Sequence, residues 1–149
     1  MKLTENEKWL KDPENRRLYN QEHIKISLQE ELYRIAIEAI NPVLEKRYGL
    51  KSQRMDELIY NHPTTLTAKA IKKVIDKFPK EHRDDVGKFL HAERAKLADK
   101  WLMEHLEVSY NTLMQYMNGD NYFTSISDWA NLFTKLGYRI DIKAMKGCL

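Results

Sequence analysis

The chain has one cysteine, four prolines and five glycines among its 149 residues. A single thiol, Cys148, forms no internal disulfide, so packing must hold the fold, and the composition suits a reducing cytoplasm. Phosphate-cradling G-x-x-x-x-G-K and G-x-G-x-x-G loops do not occur. His23, His62, His82, His91 and His105 are scattered, with no H-E-x-x-H pattern and no Cys/His pairing at metal-ligand spacing. No nucleophile elbow is present. The expectation is a protein that is not an enzyme and carries no metal or cofactor. No apolar run reaches the roughly 18 residues of a membrane-crossing helix. The opening MKLTENEKWLKD lacks the apolar core of a signal peptide.

With 42% hydrophobic and 32% charged residues, the chain reads as one globular domain, or one domain with an arm. The net charge is +3, and its distribution is uneven. Residues 1–63 hold 11 basic and 11 acidic side chains, residues 64–100 hold 10 and 6, and residues 101–149 hold 4 and 5. Lys69, Lys72, Lys73, Lys77, Lys80, Arg83 and Lys88 supply the excess. Such a cluster suits phosphates, or is the solvated face of a helix. Trp9, Trp101 and Trp129 read as core or interface residues.

Along the chain the patterning is helical almost throughout. Thr4 to Leu10 is a short helix stopped at Asp12-Pro13, and Pro13 suits the first turn of the next. From there to Tyr48, Ile24, Leu28, Leu32, Ile35, Ala36 and Ala39 form an apolar stripe. Pro42 should kink or interrupt it, and Gly49 ends it. Ser52–Tyr60, Thr67–Phe78 and Lys80 to about Ala95 are three more helices, broken at Asn61-His62-Pro63 and at Pro79. Glu81, Asp84 and Asp85 fall early in the last, with Val86, Phe89, Leu90 and Leu97 on its core face. No residue marks a boundary between it and the segment from Leu97 onward.

From Leu97 to Ile142 the signals sharpen. Leu102, Leu106, Val108 and Leu113 flank a turn, Glu107-Val108-Ser109. Ser109 can cap a new helix that Gly119 closes. Ser125 with Asp128 starts another, bearing Trp129, Leu132, Phe133 and Leu136, which ends at Gly137. Tyr138, Ile140 and Ile142 then alternate with Arg139, Asp141 and Lys143, as in a short half-buried strand. Leu102, Leu106, Val108-Ser109, Thr112-Leu113, Asn118-Gly119 and Leu136-Gly137-Tyr138 together resemble the lambda-repressor-like (Cro/cI, XRE) helix-turn-helix family, and its antitoxin-type regulators above all. Trp9, Asp12-Pro13-Glu14, Arg17-Leu18-Tyr19 and Glu22 resemble the N-terminal arm of those regulators. The chain departs from the family where Met103 replaces a small residue, where Glu107 replaces glycine, and where Asp99 puts an acid at the start of a helix.

The fold expected is all-α: an N-terminal helical region over residues 1–78, then a helix-turn-helix domain over 79–149 with a short C-terminal β-strand. The resemblance implies a DNA-binding transcriptional regulator, antitoxin-like, with double-stranded DNA as partner. If the helix Ser109–Asn118 enters a major groove, Tyr110, Asn111, Met114 and Gln115 face bases. Asn and Gln suit adenine, and Met or Tyr suits the thymine methyl. Thr112 and Asn118, with Lys96 and Lys100, would contact phosphates. Residues 109–127 contain no Lys or Arg, so two sites in a homodimer, paired through Tyr138, Ile140 and Ile142, would supply the affinity. The other reading is a helix-turn-helix scaffold used as a protein-interaction module or inhibitor, its partner a toxin or host factor. Tyr110, Met114, Tyr116, Tyr122 and Phe123 have the composition of such an interface.

Overall fold

Why each helix begins and ends where it does is a matter of local chemistry. A computed structural model describes residues 4–60, 66–118 and 125–141. Among them are seven α-helices and no strand. Helix α1 (Glu5–Trp9) is opened by a capping box in which the Thr4 hydroxyl accepts from the Glu7 N–H and the Glu7 carboxylate accepts from the Thr4 N–H. After a short turn, α2 (Pro13–Tyr48) starts on proline, and the Asp12 carboxylate accepts the Glu14 N–H at 2.8 Å. The Asn15 amide ties back to the Trp9 carbonyl.

Pro42 does not interrupt α2, which runs unbroken for 36 residues, roughly 54 Å. Pro42 and Glu38 are both exposed, so the carbonyl that loses its donor lies on the solvent side. On the opposite side Ala36, Ile40 and Leu44 are buried before and after the proline. Ile40 and Leu44 carry the core stripe onward; Ala39, expected in it, is exposed. Gly49 ends the helix with φ +63°, a conformation cheap only for glycine.

The chain forms two compact units. One is Tyr33–Val108, and the other combines the chain up to Leu32 with the chain from Ser109 onward.

The Tyr33–Val108 unit holds the second half of α2, then α3 (Ser52–Ile59), α4 (Ala68–Ile75) and α5 (Val86–Leu106). Helix α5 answers the question of the missing boundary: it is a single helix of 21 residues. It begins later than the sequence suggests. Lys80–His82 is a separate 3-10 turn, and Glu81, Asp84 and Asp85 precede α5 instead of lining its first turn. Its buried residues fall every fourth position: Val86, Leu90, Arg94, Ala98, Leu102 and Leu106. Gly87 marks the approach to α3, since a β-carbon there would lie 2.4 Å from the Leu58 carbonyl oxygen.

One member of the buried row is charged. Arg94 is buried among apolar neighbours, and its guanidinium meets the Asp56 carboxylate at 2.6 Å and the Tyr60 hydroxyl at 3.4 Å. Its Nε has no hydrogen-bond partner among the described residues. Around Phe78 lies an aromatic group. Tyr48 stacks on Phe78 at 4.3 Å, Phe89 meets Phe78 edge-on, and His82 stacks on Phe89. The Tyr48 hydroxyl donates to Glu93, which also pairs with Arg47. Burial, reinforced by that bond, pushes the Tyr48 phenol up to about 12.

The other unit contains α1, the first part of α2, α6 (Tyr110–Met117) and α7 (Ile126–Lys135). Leu32, Leu113, Trp129, Leu132 and Phe133 are its buried residues among those described, with Tyr116 edge-on to Trp129 at 5.8 Å. Helix α7 opens on a Ser125–Asp128 capping box, and Gly137 turns the chain out of it at φ +81°. The C-terminal strand is a correction: residues 138–141 form none. A strand exists only as a ladder partner, and among the described residues no second extended segment is offered to Tyr138 and Ile140. Ile142, Gly119, Tyr122, Phe123, Cys148 and the break at Asn61-His62-Pro63 lie outside the described residues.

Candidate nucleic-acid interface

The turn before α6 is built by one unusual backbone conformation. Helix α5 ends at Leu106, and Glu107 comes next with φ 57° and ψ 46°, the left-handed region. It is the one non-glycine residue with positive φ among those described. The Glu107 N–H makes the last regular helical bond to the Met103 carbonyl, and the reversal brings the Val108 N–H to the same oxygen at 3.1 Å. That pairing satisfies a helix-end carbonyl as a left-handed C-terminal cap does. Glu107 adopts a backbone that glycine takes more cheaply.

Two residues later Ser109 starts α6. Its backbone is extended, its hydroxyl oxygen accepts the Thr112 N–H at 3.2 Å, and the hydroxyl donates to Thr112 Oγ1 at 3.0 Å. Ser109 is therefore a helix cap, with Thr112 tied to it. At the other end of α6 the Gln29 side chain, on α2, donates to the Tyr116 carbonyl at 2.8 Å. Nothing in the sequence pointed to Gln29, because a contact between residues so far apart leaves no periodic trace.

Around α6 the residues sort as a helical wheel requires. At about 100° per residue, Tyr110, Met114, Asn118, Asn111 and Gln115 span one arc of roughly 140°. Tyr110, Asn111, Gln115 and Asn118 are exposed and Met114 is half-buried, while Leu113, on the far side, is completely buried. The structure thus brings together the outward residues expected from sequence. The Asn111 and Gln115 amides have no partner among the described residues and face solvent.

Lys96 and Lys100 belong to the other unit, on α5. They are exposed, and their positions lie on the side of α5 opposite the buried row. Asp99 between them is half-buried, and burial raises its carboxyl above the ordinary value. Tyr138 is exposed and Ile140 half-buried, on an irregular segment where the Tyr138 N–H donates to the Phe133 carbonyl and Arg139 pairs with Asp141. The described residues contain no cluster of three His, Cys, Asp or Glu side chains suited to a metal ion, and no helix long and apolar enough to cross a membrane.

No family model, no curated protein and no solved structure matches the chain.

Proposed function

We propose that the protein is a DNA-binding transcriptional regulator of helix-turn-helix type, which reads the major groove with α6. The observation behind this reading is the shared exposed face of Tyr110, Asn111 and Gln115 on a serine-capped helix set off by a left-handed turn. Amides at such positions can bind adenine through N6 and N7. Lys96 and Lys100 contact backbone phosphates. Two copies of the chain, bound to half-sites one helical turn apart, raise the affinity of a helix that carries no cation of its own.

The test is a binding assay against a pool of duplex sequences, followed by alanine substitution. Asn111→Ala or Gln115→Ala should weaken the preferred site by about 1–3 kcal/mol and relax its sequence preference. Lys100→Ala should weaken all sequences alike. Light scattering with and without the selected duplex reports the stoichiometry. If neither amide matters in a folded chain, DNA reading by α6 is wrong.

A second reading is favoured by one observation: residues 109–127 hold no Lys or Arg, so the exposed face is neutral and partly aromatic. Used against another protein, a toxin or host factor in the antitoxin-like version, that face would tolerate high salt. Duplex binding would then be absent even at low salt.

A further inference from the structure

We infer that the exposed lysine face of α4 is a binding surface for the phosphate backbone of duplex nucleic acid, separate from α6. On other helices many cations are matched. Lys8 pairs with Glu5, Arg17 with Glu14, Arg34 with Glu38, and Arg54 with Glu57, each three or four residues apart. Arg47 pairs with Glu93 and Arg94 with Asp56. On α4 this pattern stops. Lys69, Lys72 and Lys73 are exposed, and none has a carboxylate partner among the described residues.

Their spacing makes the arrangement unfavourable by itself. Lys69 stands three and four residues before the other two, so like charges occupy positions where those other pairs place opposite ones. Lys72 and Lys73 in the last turn suit the helix dipole. Lys69 does not: it sits in the first turn, which carries no acidic residue. A polyanion turns this repulsion into attraction. Two neighbouring cations are otherwise engaged. Arg83 donates to the carbonyls of Phe78 and Asp76, and the Lys77 ammonium lies beside Gly49 at the end of α2.

Helix α4 is amphipathic, a property shared by helices that lie on anionic membranes. A membrane-surface helix needs its apolar face free. Here Ala70, Ile71, Val74 and Ile75 are all half-buried, while the lysines face outward. The outward surface is dominated by charge, with the apolar side chains partly covered, which matches a phosphate backbone better than a membrane.

The experiment measures binding of labelled random-sequence duplex DNA between 50 and 200 mM salt. It compares the wild type, a Lys69→Gln/Lys72→Gln/Lys73→Gln variant, and the corresponding triple arginine variant. Each lost phosphate contact removes roughly 0.9 from the salt slope, so three remove about 2.7. Across that fourfold salt range the wild type should therefore lose about 40-fold more affinity than the glutamine variant. The arginine variant should keep the wild-type slope. The glutamine variant should stay folded and melt close to wild type, since it loses the repulsion at Lys69 together with the favourable dipole contacts of Lys72 and Lys73. An unchanged slope in the glutamine variant, an equal loss in both variants, or no duplex binding at 50 mM salt would overturn the inference. So would binding to vesicles with anionic lipid in place of duplex. Asn111→Ala separates this surface from α6: it should leave the random-sequence slope intact, so either proposal can fail while the other stands.

Discussion

Replacing Glu107 with glycine should stabilise the protein. At φ 57° and ψ 46° the glutamate β-carbon crowds the following carbonyl, which costs an L-residue roughly 1–2 kcal/mol. Glycine escapes that cost but gives the unfolded chain more freedom, which takes back about 0.4–1 kcal/mol. The net gain is on the order of 0.5–1 kcal/mol, or some 1–4 °C in Tm for a chain of this size. The side chain is exposed and α5 has ended, so no packing is lost. Thermal and urea melts should compare Glu107→Gly with Glu107→Ala and Glu107→Val. Alanine removes the carboxylate but keeps the strained backbone, so the gap between glycine and alanine isolates the conformational term. Valine, branched at its β-carbon, should be the least stable of the set. A glycine variant no more stable than the alanine variant would refute the left-handed turn, and the α5–α6 junction built on it.

Three further outcomes concern the Tyr33–Val108 unit. Gly87→Ala should cost about 1–3 kcal/mol and lower the melting midpoint, because the new β-carbon meets backbone at Leu58; an unchanged midpoint would rule out the close α3–α5 approach. Arg94→Met should be near neutral in a urea melt, whereas Asp56→Ala should cost about 1–3 kcal/mol by leaving a buried guanidinium without its partner; the reverse order would disprove the burial of Arg94. One tyrosine, Tyr48, should ionise near 12 in a spectroscopic titration, and Tyr48→Phe should remove that step. Its folded pKa lies above the ordinary value of 10, so between pH 10 and 12 the unfolded chain binds fewer protons and stability falls with rising pH. A midpoint that is flat across that window would contradict the buried Tyr48–Glu93 bond.

Periodicity and punctuation carried most of the helices. Pro13, Gly49, Ser109 and Ser125 act where their local chemistry says they should, because each solves a problem of backbone hydrogen bonding that is set within a few residues. Pro42 was misleading about an interruption of α2, for the complementary reason. Its local cost is fixed, but whether a helix absorbs it depends on what is buried on the opposite side, and that is tertiary information. The residues after Gly137 misled in a similar way: alternation of apolar and charged side chains describes a face, while a strand needs a partner. The division into two units was hidden too, since one of them is assembled from both ends of the chain. Arg94 left a trace that could have been noticed. It occupies the third place in a row of otherwise apolar residues spaced by four, and a cation there implies either a buried partner or a break in the row.

At the candidate interface the sequence was informative about direction and about charge, but not about the backbone of the turn. The outward arc of α6 can be had from Leu113 alone: once that residue is placed inward, a period of 3.6 sends Tyr110, Asn111 and Gln115 out. Glu107 is the more instructive case. In the sequence it counts against the family likeness, because glycine is the residue expected at that turn. The backbone shows the turn made with glutamate, at an energetic disadvantage that glycine would relieve. A residue type is therefore a poor proxy for a conformation when the flanking pieces, the end of α5 at Leu106 and the Ser109 cap, specify the turn between them. The charge problem has the opposite character. No arrangement of the α6 face can supply cations that residues 109–127 lack, so affinity for a polyanion has to come from other elements. The lysines of α4, with no carboxylate partner among the described residues, are one such element.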